Sequence, residues 1–149
     1  MFLFLDIDGV LNNFGSLQKL SPSSRFKRSK IPLERDCIEE LNRILSATGA
    51  RVILSSGWKE SRKLSELEKT LRASGFQGML VDQTPSVKGA TRGDEIRAWL
   101  EQNNSSSEAF VILDDRGDIK GFDDFFVQTS FYKGLTPTEA DRAIAILNS

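Results

Sequence analysis

"MFLFLDIDGVLN" (residues 1–12) sets a continuous apolar run, Phe2 to Leu5, directly before two aspartates, Asp6 and Asp8, and a glycine, Gly9. An unbroken apolar run of this length reads as a strand buried on both faces, as in a parallel sheet. By itself, an Asp-x-Asp after a strand is most simply a turn or a helix cap. Its meaning depends on what the rest of the chain brings to the same edge.

Outward from this strand, short apolar runs alternate with amphipathic segments. "IPLERDCIEELNRILSATGA" is helical, with Pro32 in the first turn, an inward stripe of Cys37, Ile38, Leu41, Ile44 and Leu45, and a stop at Gly49. "RVILSS" is a second buried strand. Residues 59–74 form a helix with Leu64, Leu67 and Leu71 on one face. "GMLVD" is a third strand, "RGDEIRAWLEQN" a third long helix, "AFVILDD" a fourth strand and "DFFVQTS" a fifth. "TPTEADRAIAILN" closes the chain as a helix opened by a capping box, Thr136 to Glu139. Residues 9–31 read as irregular. The alternation predicts an α/β fold with a mostly parallel five-stranded sheet and helices on both faces.

Composition narrows the chemistry. At 149 residues the chain is expected to form one domain, 1–149, with a real core. Its net charge of -1 implies no polyelectrolyte partner for the molecule as a whole. Histidine is absent, which removes His-based triads, zinc sites and any His general base. One cysteine, Cys37, allows no internal disulfide and points to a reducing, cytoplasmic setting. No run approaches a membrane span, so no membrane partner is expected.

Three strands end in polar residues at their carboxyl side: Asp6 and Asp8, Ser55 and Ser56, and Asp114 and Asp115. Ligands of open α/β sheets bind beyond these ends, at the switch in strand order. Carboxylates gathered there repel one another and need a cation. With no histidine, a hard oxygen-ligated ion such as Mg²⁺ fits best. Lys88 and Arg92, just before and at the start of the third long helix, supply basic side chains, and the helix N-terminus favours an anion. On an extended strand, Asp8 would lie one step beyond Asp6 on the same face, and Gly9 would let the chain turn close by.

On "DIDGV" (6–10), "VILSS" (52–56), the Lys88–Arg92 segment and "VILDD" (111–115), the sequence resembles the haloacid dehalogenase-like (HAD) phosphohydrolase superfamily. "RGDEIRAWL" and "KGLTPTEADRAIAILN" further resemble the HAD domains associated with Swiss-army-knife RNA repair proteins. The resemblance implies a three-layer Rossmann-like core and a Mg²⁺-dependent phosphomonoesterase working through an aspartyl-phosphate. It makes Asp6 the nucleophile and Asp8 the general acid and base. Ser55 binds a phosphoryl oxygen, and Lys88 or Arg92 stabilises the pentacoordinate state. The metal is held by Asp6, the Asp8 carbonyl and Asp114, with Asp115 as a further ligand. Val10 stands where the superfamily often has Thr.

The intervals Asp8–Ser55 and Ser55–Lys88 are largely filled by core elements, so no large cap is expected. An open site suits bulky phosphorylated substrates, nucleic-acid phosphate ends among them. Residues 9–33 hold Lys19, Arg25, Lys27, Arg28 and Lys30 with no acid, and Arg25, Lys27, Arg28 and Lys30 form a candidate contact for an anionic polymer. Alternatives are a phosphatase of a small metabolite or phosphoprotein, and a non-catalytic binding domain of the same fold. A signalling receiver is disfavoured by order, since its phosphorylated Asp would end strand three, whereas here the second acid pair ends strand four.

Overall fold

The structure, a computed structural model, describes residues 1–23 and 31–149. Five strands form one sheet: β1 (Phe2–Leu5), β2 (Arg51–Leu54), β3 (Leu80–Gln83), β4 (Phe110–Asp114) and β5 (Phe126–Gln128). Their order is β3-β2-β1-β4-β5, and every pair is parallel. The expected α/β class and parallel sheet are therefore present, with β1 at the centre.

Alternation along β1 divides the core in two. Leu3 and Leu5 join Val52, Leu54, Val111 and Leu113 on one face, which packs on α2 (Arg35–Thr48), α3 (Leu64–Ala73) and α5 (Pro137–Leu147). Phe2 and Phe4 join Ile53, Phe110 and Ile112 on the other, covered by Ile96, Trp99 and Leu100 of α4 (Arg92–Gln102). Both aromatic rings of β1 meet Trp99 edge-on, at 5.0 and 5.4 Å between centroids. β1 is thus buried on both faces, which is why its sequence lacks polar alternation.

The local rules account for most helix ends. α5 starts at Thr136, whose N–H donates to Glu139 Oε2 at 3.0 Å, with Pro137 in the first turn. α2 ends at Gly49, in the left-handed region at φ 70°. Three details differ from expectation. α2 begins at Arg35, so Pro32 lies ahead of its cap, Glu34, rather than in its first turn. The helix expected over 59–74 is broken: a short 3₁₀ turn, Gly57–Glu60, precedes α3, because Ser56 caps the turn and Ser61 ends it. Within the stretch read as irregular, α1 (Phe14–Gln18) forms on an Asn13–Ser16 capping box.

No large insertion rides on the sheet; among the described residues, α1 and α2 occupy the way from β1 to β2, and α3 the way to β3. Among the described residues no helix is long and apolar enough to cross a membrane.

Candidate active site

The chain runs from β1 outward to β2 and β3, then returns to the other side of β1 as β4. That reversal opens the crevice where α/β sheets bind ligands, between the carboxyl ends of β1 and β4. Asp6 follows β1 and Asp114 ends β4, and the Asp6 N–H donates to the Leu113 carbonyl at 3.0 Å, so the two tips are locked in register. Asp115 joins them. One carboxylate oxygen from each of Asp6, Asp114 and Asp115 lies within 4.8 Å of the others.

Asp8 is not on an extended strand. The chain turns at Ile7, whose carbonyl accepts from the N–H groups of Val10 and Leu11. The Asp8 carboxylate sits outside the cluster of three and accepts from Asn12 Nδ2 at 2.9 Å, while Asn12 Oδ1 accepts from the Gly9 N–H. Gly9 adopts φ 80°, and a Cβ there would stand 2.4 Å from Asp115 Oδ2. Only glycine gives both the left-handed turn and the close approach to the acid.

Burying carboxylates together costs free energy. Burial, then the neighbouring Asp114, push the Asp6 carboxyl well above the ordinary range, against the opposing pull of Arg92 and the Ile7 N–H. Burial likewise pushes Asp114 up to about 6, opposed by the Arg116 N–H and by Arg92. Arg92 is the cation that meets this group. It is the first residue of α4, its side chain is 11% exposed, and Nε lies 3.4 Å from Asp114 Oδ2 and Nη2 3.9 Å from Asp6 Oδ1. Nη1 donates to the Ser55 carbonyl, which ties β2 to the same point. Lys88 is exposed in the loop before α4 and makes no ion pair with the cluster. Of the two basic residues singled out in the sequence, the fold therefore brings Arg92 to the acids and leaves Lys88 outside.

Ser55 and Ser56 also separate. Ser56 Oγ accepts from Trp58 N–H and caps the 3₁₀ turn. Ser55, held by its N–H to the Leu5 carbonyl at 2.8 Å, keeps a buried hydroxyl with no hydrogen-bond partner. Asp114 Oδ2 is also buried without a hydrogen bond; its approach to Arg92 is ionic only. Buried polar atoms normally find partners. Two such atoms beside a carboxylate cluster fit a site that takes an oxyanion and a cation. The donor set is all oxygen, which suits a hard divalent ion. The basic residues Arg25, Lys27, Arg28 and Lys30 lie outside the described residues.

One residue had no signal in the sequence. Lys59 is buried, with its side chain 2% exposed, and its Nζ donates to Thr84 Oγ1 at 2.9 Å, the Pro85 carbonyl at 3.2 Å and Glu95 Oε2 at 2.7 Å. Glu95 Oε1 accepts from the Val87 N–H at 3.1 Å. This clamp ties the turn after β2 and the loop after β3 to the first turn of α4. A Thr91–Asp94 capping box fixes the same turn. Arg92 is held between them. Lys59→Met leaves Glu95 without its cation and is expected to cost about 3 kcal/mol, near the low end for a broken buried pair because Glu95 keeps an edge in solvent. Thermal unfolding should show a Tm lower by roughly 6–12 °C at this chain length, whereas an unchanged Tm would mean that the clamp is dispensable.

The model of the HAD domain in Swiss Army Knife RNA repair proteins matches residues 2–140. The chain belongs to this HAD family. The family is one of phosphohydrolases that generally use Mg²⁺, and the Asp6–Asp114–Asp115 group is of the kind that can bind a metal. None of the curated proteins matches the chain. A solved structure aligns with 15% identity and a TM-score of 0.48, covering 99% of this chain and 80% of its own. Within the HAD framework the strand-tip acids, Ser55 and the α4 arginine occupy one edge of one sheet.

Proposed function

We propose that this HAD domain is a Mg²⁺-dependent phosphomonoesterase that works through an aspartyl-phosphate on Asp6. The observation that carries this reading is the meeting of Asp6, Asp114 and Asp115 with Arg92 and the unpartnered Ser55 hydroxyl at the β1–β4 crevice. An Asp6 oxygen attacks phosphorus as the ester P–O bond breaks, and Asp8 gives its proton to the departing oxygen. Asp8 then takes a proton from water, the water oxygen attacks phosphorus, and Asp6 is released with inorganic phosphate. Asp8 is suited to moving protons because its carboxylate lies apart from the buried cluster, oriented by Asn12. The Arg92 guanidinium and the Ser55 hydroxyl stabilise the phosphoryl oxygens. Asp6, Asp114 and Asp115 would hold Mg²⁺, whose charge would offset theirs so that an anionic carboxylate can approach an anionic phosphate.

The favoured substrates are bulky phosphates, and among them the phosphate ends of nucleic acids. The lack of a large cap and the RNA-repair setting of the family support this choice. A cytoplasmic setting belongs to the same proposal, supported by a single cysteine, buried and free. A turnover assay over 3′- and 5′-phosphorylated DNA and RNA, phosphopeptides and small phosphate esters, with and without Mg²⁺, tests the whole. Turnover that needs no divalent ion, or none on any ester, overturns it.

The acids also give Mg²⁺ a pH signature. Asp6 and Asp114 are raised in the fold. Raised carboxyls bind protons more tightly when folded, so their contribution is favourable at low pH. It is lost as pH rises from the unfolded value near ~4 through about 6 for Asp114. A bound cation reverses that loss. Magnesium at ten times its Kd should stabilise the protein by about 1.4 kcal/mol at pH 7.5, a rise of roughly 3–6 °C in Tm. At pH 4.5 protons occupy the same oxygens and the rise should shrink sharply. A magnesium shift independent of pH would remove these carboxylates as its ligands.

A further inference from the structure

Two aromatic side chains stand exposed, one at the start of α1 and one in the turn that follows β5. Tyr132 is 76% exposed and Phe14 is 41% exposed, and their rings lie 5.7 Å apart at 52°. Large exposed aromatics gain little from folding, yet the backbone beneath this pair is held firmly. The Phe14 N–H donates to the Phe131 carbonyl at 2.8 Å, and Asn13 Nδ2 donates to the Lys133 carbonyl at 3.3 Å. Residues 130–134 form a tight turn, closed by the Gly134 N–H on the Ser130 carbonyl at 2.7 Å, with Tyr132 inside it. The Leu135 N–H bonds the Val10 carbonyl, and Thr129 Oγ1 bonds the Gly9 carbonyl at 2.7 Å.

These bonds fix the pair relative to the chemistry. Phe14 leaves the turn that carries Asp8 and Gly9. Tyr132 lies three residues past Thr129, hence within roughly 11 Å of it along the chain. Gly9, which Thr129 touches, is itself against Asp115. Lys133, also exposed, follows Tyr132 in the chain, and residues 9–23 carry no acid of their own; Glu34, which accepts from Ser16 Oγ, is paired with Lys19 at 2.8 Å. An aromatic ring pair followed by an exposed lysine, beside a segment that carries no acid of its own, complements a base on a phosphate backbone. A terminal phosphate has its own nucleobase one sugar away, which is the spacing a platform at the site rim serves.

We propose that Phe14 and Tyr132 form a base-stacking platform that holds the terminal nucleobase of a phosphorylated polynucleotide. The platform rests on the phosphatase reading above for its purpose, and it makes good the absence of a cap by gripping the substrate beside the reacting phosphate. Base stacking on an aromatic side chain is sequence-tolerant and is worth a factor of about ten or more in affinity.

The test uses phosphorylated oligonucleotides ending either in a normal nucleotide or in an abasic one, with β-glycerophosphate as the small ester. Tyr132→Ala, at an exposed position, and Phe14→Leu should each reduce the preference for the base-bearing end over the abasic end about tenfold, through KM. Tyr132→Trp should keep it. Phe125→Ala removes an exposed aromatic that precedes β5, at the opposite end of the strand from Thr129, and should leave the preference as it is. Equal losses on base-bearing and abasic ends, or losses of the same size on β-glycerophosphate, overturn the platform in favour of a structural role. A Tyr132-dependent KM for phosphopeptides with none for oligonucleotides overturns it as well. Fluorescence anisotropy with unphosphorylated oligonucleotides keeps the two proposals apart. If no ester is turned over but Tyr132→Ala still weakens oligonucleotide binding about tenfold, the platform stands and the phosphatase reading fails. If turnover is intact and binding ignores Tyr132, the reverse holds.

Discussion

Asp6→Asn is expected to abolish phosphomonoester turnover in a protein at least as stable as its parent. The two effects have one cause. The Asp6 carboxylate is buried against Asp114, and both burial and that neighbour resist its charge. An asparagine of the same shape carries no charge, which removes both the cost of burying that charge and its repulsion with Asp114. In metal-free buffer at pH 7.5 the substitution should hold or raise Tm, with each kcal/mol gained worth roughly 2–4 °C. Activity falls because an amide is not a phosphoryl acceptor. A loss beyond about 10³-fold is expected, above that for removing one preorganised donor, and acid-quenched enzyme should retain no phosphate. Turnover within tenfold of the parent would sink Asp6 as nucleophile. A large drop in Tm would sink the electrostatic account instead. Function and stability pull against each other at this residue, as at many active sites.

Arg92→Met is the complementary change, and it should harm both properties. Arg92 is the one side-chain cation within 4 Å of Asp6 and Asp114 among the described residues. Its loss leaves two buried carboxylates facing each other, for which about 3–5 kcal/mol is expected at neutral pH. The deficit should have a definite slope. Without the guanidinium both carboxyls rise further, so the variant binds protons more tightly in its folded state. Relative to the parent it should be nearly as stable near pH 4 and lose ground as pH rises through about 6, the region where Asp114 titrates in the parent. Magnesium should recover part of the loss. Turnover should fall about 10³-fold, the scale of an arginine that stabilises phosphoryl transfer. Arg92→Lys should recover some of it, since charge returns without the planar fork that also reaches the Ser55 carbonyl. Lys88→Ala, at an exposed loop position, should stay within about twofold in activity and within about 0.5 kcal/mol in stability. The opposite ranking, with Lys88 essential and Arg92 dispensable, would return the role to the loop.

The platform and the clamp place different demands on the same small domain. Lys59 and Glu95 are buried and hold Arg92 from behind, so their effects should appear in stability as well as in rate. Phe14 and Tyr132 are exposed and face outward, so theirs should appear in substrate choice.

The sequence by itself determined the strands, the long helices and the polar tips. β1, β2 and β4 are legible because strands buried on both faces become short unbroken apolar runs, and α2, α4 and α5 because each must put an apolar stripe on the sheet. Those signals are local, each contained in about a dozen residues. Asp6, Asp8, Ser55, Asp114 and Asp115 could be named for the same reason: a polar residue at the end of a buried run stands out. The short helix α1 and the break before α3 were hidden, because they rest on single capping side chains, Asn13 and Ser56, with no apolar period to mark them. The tertiary structure alone set Arg92 against the acids and left Lys88 outside, buried Lys59 on Glu95, and set Phe14 against Tyr132. Each of these is a distance of a few ångströms between side chains whose partners lie elsewhere in the fold, in most cases dozens of residues away in the chain. Charge pairing and hydrogen bonding decay within that range, so the chemistry of the edge was fixed only when the sheet closed β1 against β4.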